Sequence, residues 1–153
     1  MKKYFLAGLI LLLAIGVCSA KKRKKRYSQR DSLRGGLSLE RTCYDVHFYD
    51  LTVDFNLEDS TIVGVNDIAF NVLYSTSKIQ LDFFQNMVID SVVYKGDLLT
   101  YSRVEDAFFV DFPAVLEKGL NTSLQVFYHG KPVVATKAPW DGGIVWSKDE
   151  QGR

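Results

Sequence analysis

A chain of 153 residues with 47% hydrophobic content has room for one ordinary domain and the apolar stock to fold it, which excludes a two-domain protein and a disordered one. Its formal charge of +1 hides a segregation: residues 21–36 carry eight Lys or Arg against Asp31 alone, while residues 37–153 carry nine against seventeen acids, a net of −8. An acidic body of this kind excludes a nucleic-acid-binding domain, whose surface is basic.

The chain opens on Met1-Lys2-Lys3, a positive start, and runs through an apolar stretch from Tyr4 to Val17 into Cys18-Ser19-Ala20. That stretch is short for a membrane span of about 20 residues and fits the core of a signal peptide, with cleavage after Ala20. The expectation is export, to the periplasm or the outside. Ile15-Gly16-Val17-Cys18 also loosely resembles a lipoprotein box, which would put a lipid anchor on Cys18. Lys21-Lys22-Arg23-Lys24-Lys25-Arg26 follows directly and opposes translocation, so an uncleaved membrane anchor is a further alternative. The same six residues suit heparin binding or nuclear targeting, although a leader argues against the nucleus; otherwise they form a solvated tract. Residues 21–38 show no hydrophobic period and are expected to be a flexible linker, with the domain proper over residues 39–153.

From Tyr49 the alternation is strict: Tyr49, Leu51, Val53 and Phe55 on one face, Asp50, Thr52 and Asp54 on the other. Period two marks a strand with one buried face, expected to turn inward at the first four residues. Asn56 to Ser60 is a polar turn, and Thr61 to Val72 returns with Ile62, Gly64, Asn66, Ile68 and Phe70 on one face. Gly64 there predicts a bulge or a close backbone approach. Asn66 on an inner face needs a hydrogen-bond partner, because an unsatisfied amide costs about 1–3 kcal/mol. Ile79, Leu81 and Phe83 restart the pattern after a polar break at 74–78. Ser91 to Tyr94 and Leu98 to Val104 read as a hairpin about Lys95-Gly96-Asp97. Ala107 to Phe112 is a strand expected to end at Pro113, which lacks a ladder donor. Ser123 to His129 follows with Leu124, Val126 and Tyr128 on one face, and Ile144-Val145-Trp146 reads as a last apolar strand. No stretch has a helical period of helix length. The fold class is therefore all-β, an antiparallel sandwich or saddle built from successive hairpins.

Chemistry-bearing patterns are absent from the sequence. There is no H-E-x-x-H, nucleophile elbow, P-loop or dinucleotide fingerprint. His47 and His129 stand 82 residues apart, without spaced carboxylates, and read as ordinary surface or half-buried residues. Cys43 is alone once a leader is removed, and reads as a buried free thiol. Asn121-Thr122-Ser123 spells a glycosylation sequon, to which a bacterial-looking leader gives little weight. No catalytic, cofactor-binding or metal-ligating residue is assigned. Tyr74, Tyr94, Tyr101 and Phe108 could form a stacking surface for carbohydrate or peptide; core and cross-strand packing is the competing account.

Several segments together carry a resemblance. Tyr44-Asp45-Val46-His47-Phe48-Tyr49-Asp50-Leu51, Thr61 to Phe70 with Ile62, Gly64, Ile68 and Phe70 at alternate positions, and Ile79-Gln80-Leu81-Asp82 are similar to the first strands of the aminopeptidase N family of zinc peptidases. Gly130-Lys131-Pro132 and Pro139-Trp140-Asp141-Gly142-Gly143-Ile144-Val145-Trp146 resemble the stretch that follows in a bacterial exported branch. The resemblance implies a saddle-shaped β-domain ahead of a thermolysin-like catalytic domain, in which zinc is held by H-E-x-x-H and a downstream Glu while G-x-M-E-N grips the substrate amine. None of those motifs occurs in this sequence, so zinc is expected in a catalytic domain beyond Arg153, in cis or on a separate chain. This chain would be that enzyme's non-catalytic front, with apolar surface exposed around Trp140 to Trp146. The alternative is a free-standing secreted β-sandwich that binds a ligand.

Overall fold

The computed structural model describes residues 27–152. The expected leader, Cys18, the basic run at 21–26 and Arg153 lie outside the described residues. Two short helices come first, α1 (Gln29–Gly35) and α2 (Leu39–Thr42). Seven strands follow: β1 (Tyr44–Asn56), β2 (Thr61–Val72), β3 (Thr76–Asp82), β4 (Met87–Tyr94), β5 (Asp97–Val104), β6 (Ala107–Leu116) and β7 (Asn121–Gly130). The all-β expectation holds, with every strand pair antiparallel in one curled sheet of order β1-β2-β7-β4-β5-β6-β3.

Alternation explains which way each strand faces. Ile68, Phe70 and Val72 of β2 lie beside Leu124 and Val126 of β7, with Ile68 directly opposite Leu124. Across the interior stand Ile79 and Leu81 of β3 and Phe108, Val110 and Phe112 of β6. The sheet turns its corner at β5, whose residues 97–99 pair with β4 while residues 100–104 pair with β6. Lys95 and Gly96 join β4 to β5 with φ of 53° and 92°, the left-handed pair that a two-residue hairpin requires.

Four expectations need correction. Residues 29–35, read as flexible linker, form α1. Ser28 caps it by accepting the Asp31 amide, and the Asp31 carboxylate answers the Ser28 amide, the reciprocal box that starts a helix without any apolar stripe. Strand β4 begins at Met87 rather than Ser91, because a bulge between Ile89 and Ser91 breaks the alternation while keeping Ile89 and Val92 both buried. Pro113 does not end β6. Residues 112–115 stand opposite Ser77 alone, between the pairs Lys78↔Asp111 and Thr76↔Leu116, so the ladder asks nothing of the missing N–H. Ile144 to Trp146 is no strand; Ile144 makes one isolated parallel bridge to Val134.

Candidate functional site: a cleft between the sheet edges

The strand order makes β1 and β3 the two edges of the sheet, and its curl brings them face to face at one end. The Tyr44 hydroxyl donates to the Gln80 carbonyl at 2.5 Å, and the Arg41 guanidinium pairs with Asp82 at 2.7 Å. Cys43, fully buried at this seam, places its thiol 3.8 Å from the Lys78 carbonyl. Burial pushes the Cys43 thiol and the Tyr44 hydroxyl above their ordinary values, which keeps both protonated. The buried free thiol is therefore as the sequence led one to expect.

Beyond this clasp the edges part and leave a cleft of about 240 Å³. Tyr44 and Tyr49 form one wall, and Gln80 to Phe83 the other. Its floor is Asn66, Ile68, Phe108, Val126 and Tyr128. Tyr128 meets Phe83 edge to face at 5.1 Å, and burial raises its phenol. Gly64 accommodates that ring: a Cβ there would sit 2.7 Å from the Tyr128 hydroxyl and 2.8 Å from the Thr52 carbonyl. Close approach, not a bulge, is the reason for this glycine. Asn66 Oδ1 is buried with no hydrogen-bond partner in the described residues.

The concave face continues past the cleft along the β1–β2 hairpin. Tyr49, Leu51, Val53 and Phe55 lie opposite Ile68, Asn66, Gly64 and Ile62, hence on the inner side, as the alternation required. They do not become core: Tyr49, Leu51 and Phe55 remain 54–59% exposed, because β3 stops at Asp82 and no described strand continues opposite the hairpin. Trp146 meets Phe55 edge to face at 6.3 Å, and the buried Trp146 Nε1–H has no acceptor among the described residues. Trp140 is 87% exposed, and Val133, Val134 and Val145 are exposed near it. This is the apolar surface expected around Trp140 to Trp146.

The cleft sets the polar groups of Arg41, Gln80 and Asp82 beside an apolar floor, with Asn66 Oδ1 an idle acceptor among the described residues. Of the four aromatics considered as a stacking surface, Tyr101 and Phe108 meet edge to face at 6.2 Å and Tyr74 is exposed, but they share no exposed face. Tyr94 is buried against Phe112 and Phe108 lies in the core, while the Tyr101 hydroxyl donates to the Ile89 carbonyl. His129 pairs with Asp90 at 2.7 Å, and His47 is exposed on β1. Among the described residues no three His, Cys, Asp or Glu side chains gather to hold a metal, so the zinc of the resemblance has no ligand set here. The cleft was illegible beforehand because its walls come from strands 36 residues apart, joined by Tyr44 and Gln80; the one available signal was Asn66 at an inner position.

No family model and no curated protein matches this sequence. Solved structures do. An M1 zinc metallopeptidase variant from Deinococcus radiodurans bound to a Tyr-Ser-Ala substrate is 20% identical, covering 61% of this chain and 22% of that one with a TM-score of 0.55. A two-domain M1 zinc metallopeptidase variant bound to L-arginine is 19% identical over 65% of this chain and 23% of that one, again at 0.55. The M1 zinc metallopeptidase of Deinococcus radiodurans matches at 20% identity, 65% and 23% coverage and the same score. This chain thus spans less than a quarter of these relatives, and the likeness is one of fold.

Proposed function

We propose that this chain is the non-catalytic β-domain of an exported zinc aminopeptidase, whose work is to seat a catalytic domain and wall its cleft. The observation that carries the reading is the concave row Tyr49, Leu51 and Phe55, left exposed on a sheet whose fold is shared with M1 zinc metallopeptidases. Contiguous apolar area of this kind marks a surface made to be covered. Asn66 Oδ1, opposite Leu51 in this row, and Trp146 Nε1–H, beside Phe55, are an acceptor and a donor idle among the described residues that a packed polypeptide satisfies. Catalysis, zinc and the grip on a substrate amine belong in this reading to the covering domain. Export places the assembly in the periplasm or outside the cell, free or held through a lipid at Cys18, and nucleic acid has no part in it.

Reading the coding DNA beyond the codon for Arg153 tests the proposal. An open frame that runs into G-x-M-E-N and H-E-x-x-H supports it. A stop codon with no such frame nearby, and no separate chain that binds this one, overturns it.

A further inference from the structure

Most of the polar lining of the cleft between β1 and β3 is already spent. The Tyr44 hydroxyl donates to the Gln80 carbonyl at 2.5 Å, and the Gln80 side-chain amide donates to the Leu33 carbonyl at 2.9 Å. Arg41 and Asp82 pair at 2.7 Å. They are the charged side chains that line the cleft among the described residues, one cation against one anion. The lining is therefore neutral as a whole, and it favours a ligand without charge.

Asn66 and Tyr128 are what the fold leaves over. Asn66 Oδ1 is buried without a partner among the described residues. Tyr128, only 7% exposed, meets Phe83 through its ring while its hydroxyl stays unpaired among the same residues. Leaving such groups dry costs about 1–3 kcal/mol each. The Tyr128 hydroxyl stands over Gly64, 2.7 Å from where a Cβ would be, and Asn66 follows two residues later on the same face of β2. Two residues of strand measure about 7 Å, the interval at which an extended chain presents backbone groups on one side. Ile68, Phe108 and Val126 supply an apolar floor around them. An amide and a hydroxyl at strand spacing over such a floor complement peptide groups that alternate with an apolar side chain.

We propose that the cleft receives an extended, uncharged polypeptide segment, whose peptide groups bond the Asn66 amide and the Tyr128 hydroxyl and whose apolar side chain rests on Ile68, Phe108 and Val126. The Asn66 amide has donors as well as an acceptor, so it pairs reciprocally with one peptide group. The volume of about 240 Å³ holds about eight groups of water size at ~30 Å³ each, enough for one leucine-sized side chain with its Cα and a peptide group. The segment then continues over the open row at Leu51, which lies opposite Asn66. This inference rests on the reading that the concave face is made to be covered, and not on the covering domain being a peptidase.

NMR titration of the full chain with N-acetyl-leucine N-methylamide tests this, against N-acetyl-leucine, which carries a carboxylate, and leucine N-methylamide, which carries an ammonium. The expected result is saturable binding of the neutral probe in the millimolar range, with the Asn66 side-chain amide signals moving and both charged analogues about tenfold weaker. Asn66→Leu and, separately, Tyr128→Phe are each expected to weaken the probe about tenfold with an unchanged circular dichroism spectrum. Asn66→Leu removes only an idle group, so lost binding without lost stability separates contact with a ligand from structural support. Absence of saturable binding, a charged analogue that binds as tightly, or unchanged affinity in either variant overturns the proposal. So does methyl glucoside moving the same signals at equal concentration, which would assign the cleft to a sugar. An open peptidase frame beyond Arg153 with no probe binding fails this inference alone, whereas probe binding with no such frame leaves it standing and overturns the enzyme.

Discussion

Replacing Gly64 by alanine probes the tightest point of the sheet. The added Cβ would meet Tyr128 Cζ and Oη at 2.7 Å and the Thr52 carbonyl oxygen at 2.8 Å, where unstrained contacts lie near 3.5–4.0 Å. Neither neighbour can retreat cheaply. Thr52 is backbone, fixed opposite Val65 in the β1–β2 ladder, and Tyr128 is 7% exposed and wedged against Phe83. Overpacking of this kind costs about 1–3 kcal/mol, and three simultaneous clashes place Gly64→Ala near the upper end. Reduced freedom of the unfolded chain returns about 0.5 kcal/mol. The net expectation is a loss of about 2 kcal/mol, or a fall in Tm of roughly 6–12 °C for a body of this size. Thermal unfolding followed by circular dichroism measures it. In a Tyr128→Phe background, which removes Oη, the same substitution should cost about 1 kcal/mol less. A Gly64→Ala protein as stable as its parent would refute the argument, because it would mean that the β1–β2–β7 register does not bring Tyr128 onto Gly64.

Three further outcomes follow from particular side chains. Cys43 is fully buried and its thiol pushed up by burial, so iodoacetamide should label it about a thousandfold more slowly than in urea-unfolded chain; labelling at the unfolded rate would contradict its place in the core. The Gln85 amide and then Arg30 hold Asp106 below its ordinary 3.8, so docking of α1 is at full strength above that value and is lost as pH falls through the lowered one. Protection of the α1 amides, taken relative to their intrinsic exchange rates, should fall as pH drops below 3.8 and be reduced already at neutral pH in Asp106→Asn; protection that ignores both would sink the tether. Asn66→Leu removes a buried acceptor without a partner and should stabilise the isolated chain by about 1 kcal/mol in urea titration, whereas a loss of that size would mean that the amide is already satisfied.

Strands were legible where one face is wet and the other dry along their whole length, as in β2 and β7. Legibility failed where tertiary structure overrides the local rule. Asp90 hides the start of β4 because a bulge lets Ile89 and Val92 share the interior three residues apart. Pro113 misleads because a donor-free residue is harmless wherever the partner strand has nothing to pair. Helix α1 lacks an apolar stripe, yet Ser28 and Asp31 at capping-box spacing were there to be read. The row Tyr49, Leu51, Val53 and Phe55 taught a subtler lesson: alternation gives the face of a strand, but burial depends on what stands across from it.

The pairing of β2 with β7 sets a timetable for the ribosome. Asn71 must find Asn121, and Ile62 must find Gly130, partners 50 and 68 residues apart in the chain. At synthesis rates of about 5–20 residues per second, β2 waits roughly 3–14 seconds for β7 to be made. During that interval the β1–β2 hairpin has an apolar face and an open edge, the form most prone to pair with another nascent chain. The six acids and absent Lys or Arg of residues 44–77 give every such hairpin the same sign of charge, so two of them repel while each waits for its own β7.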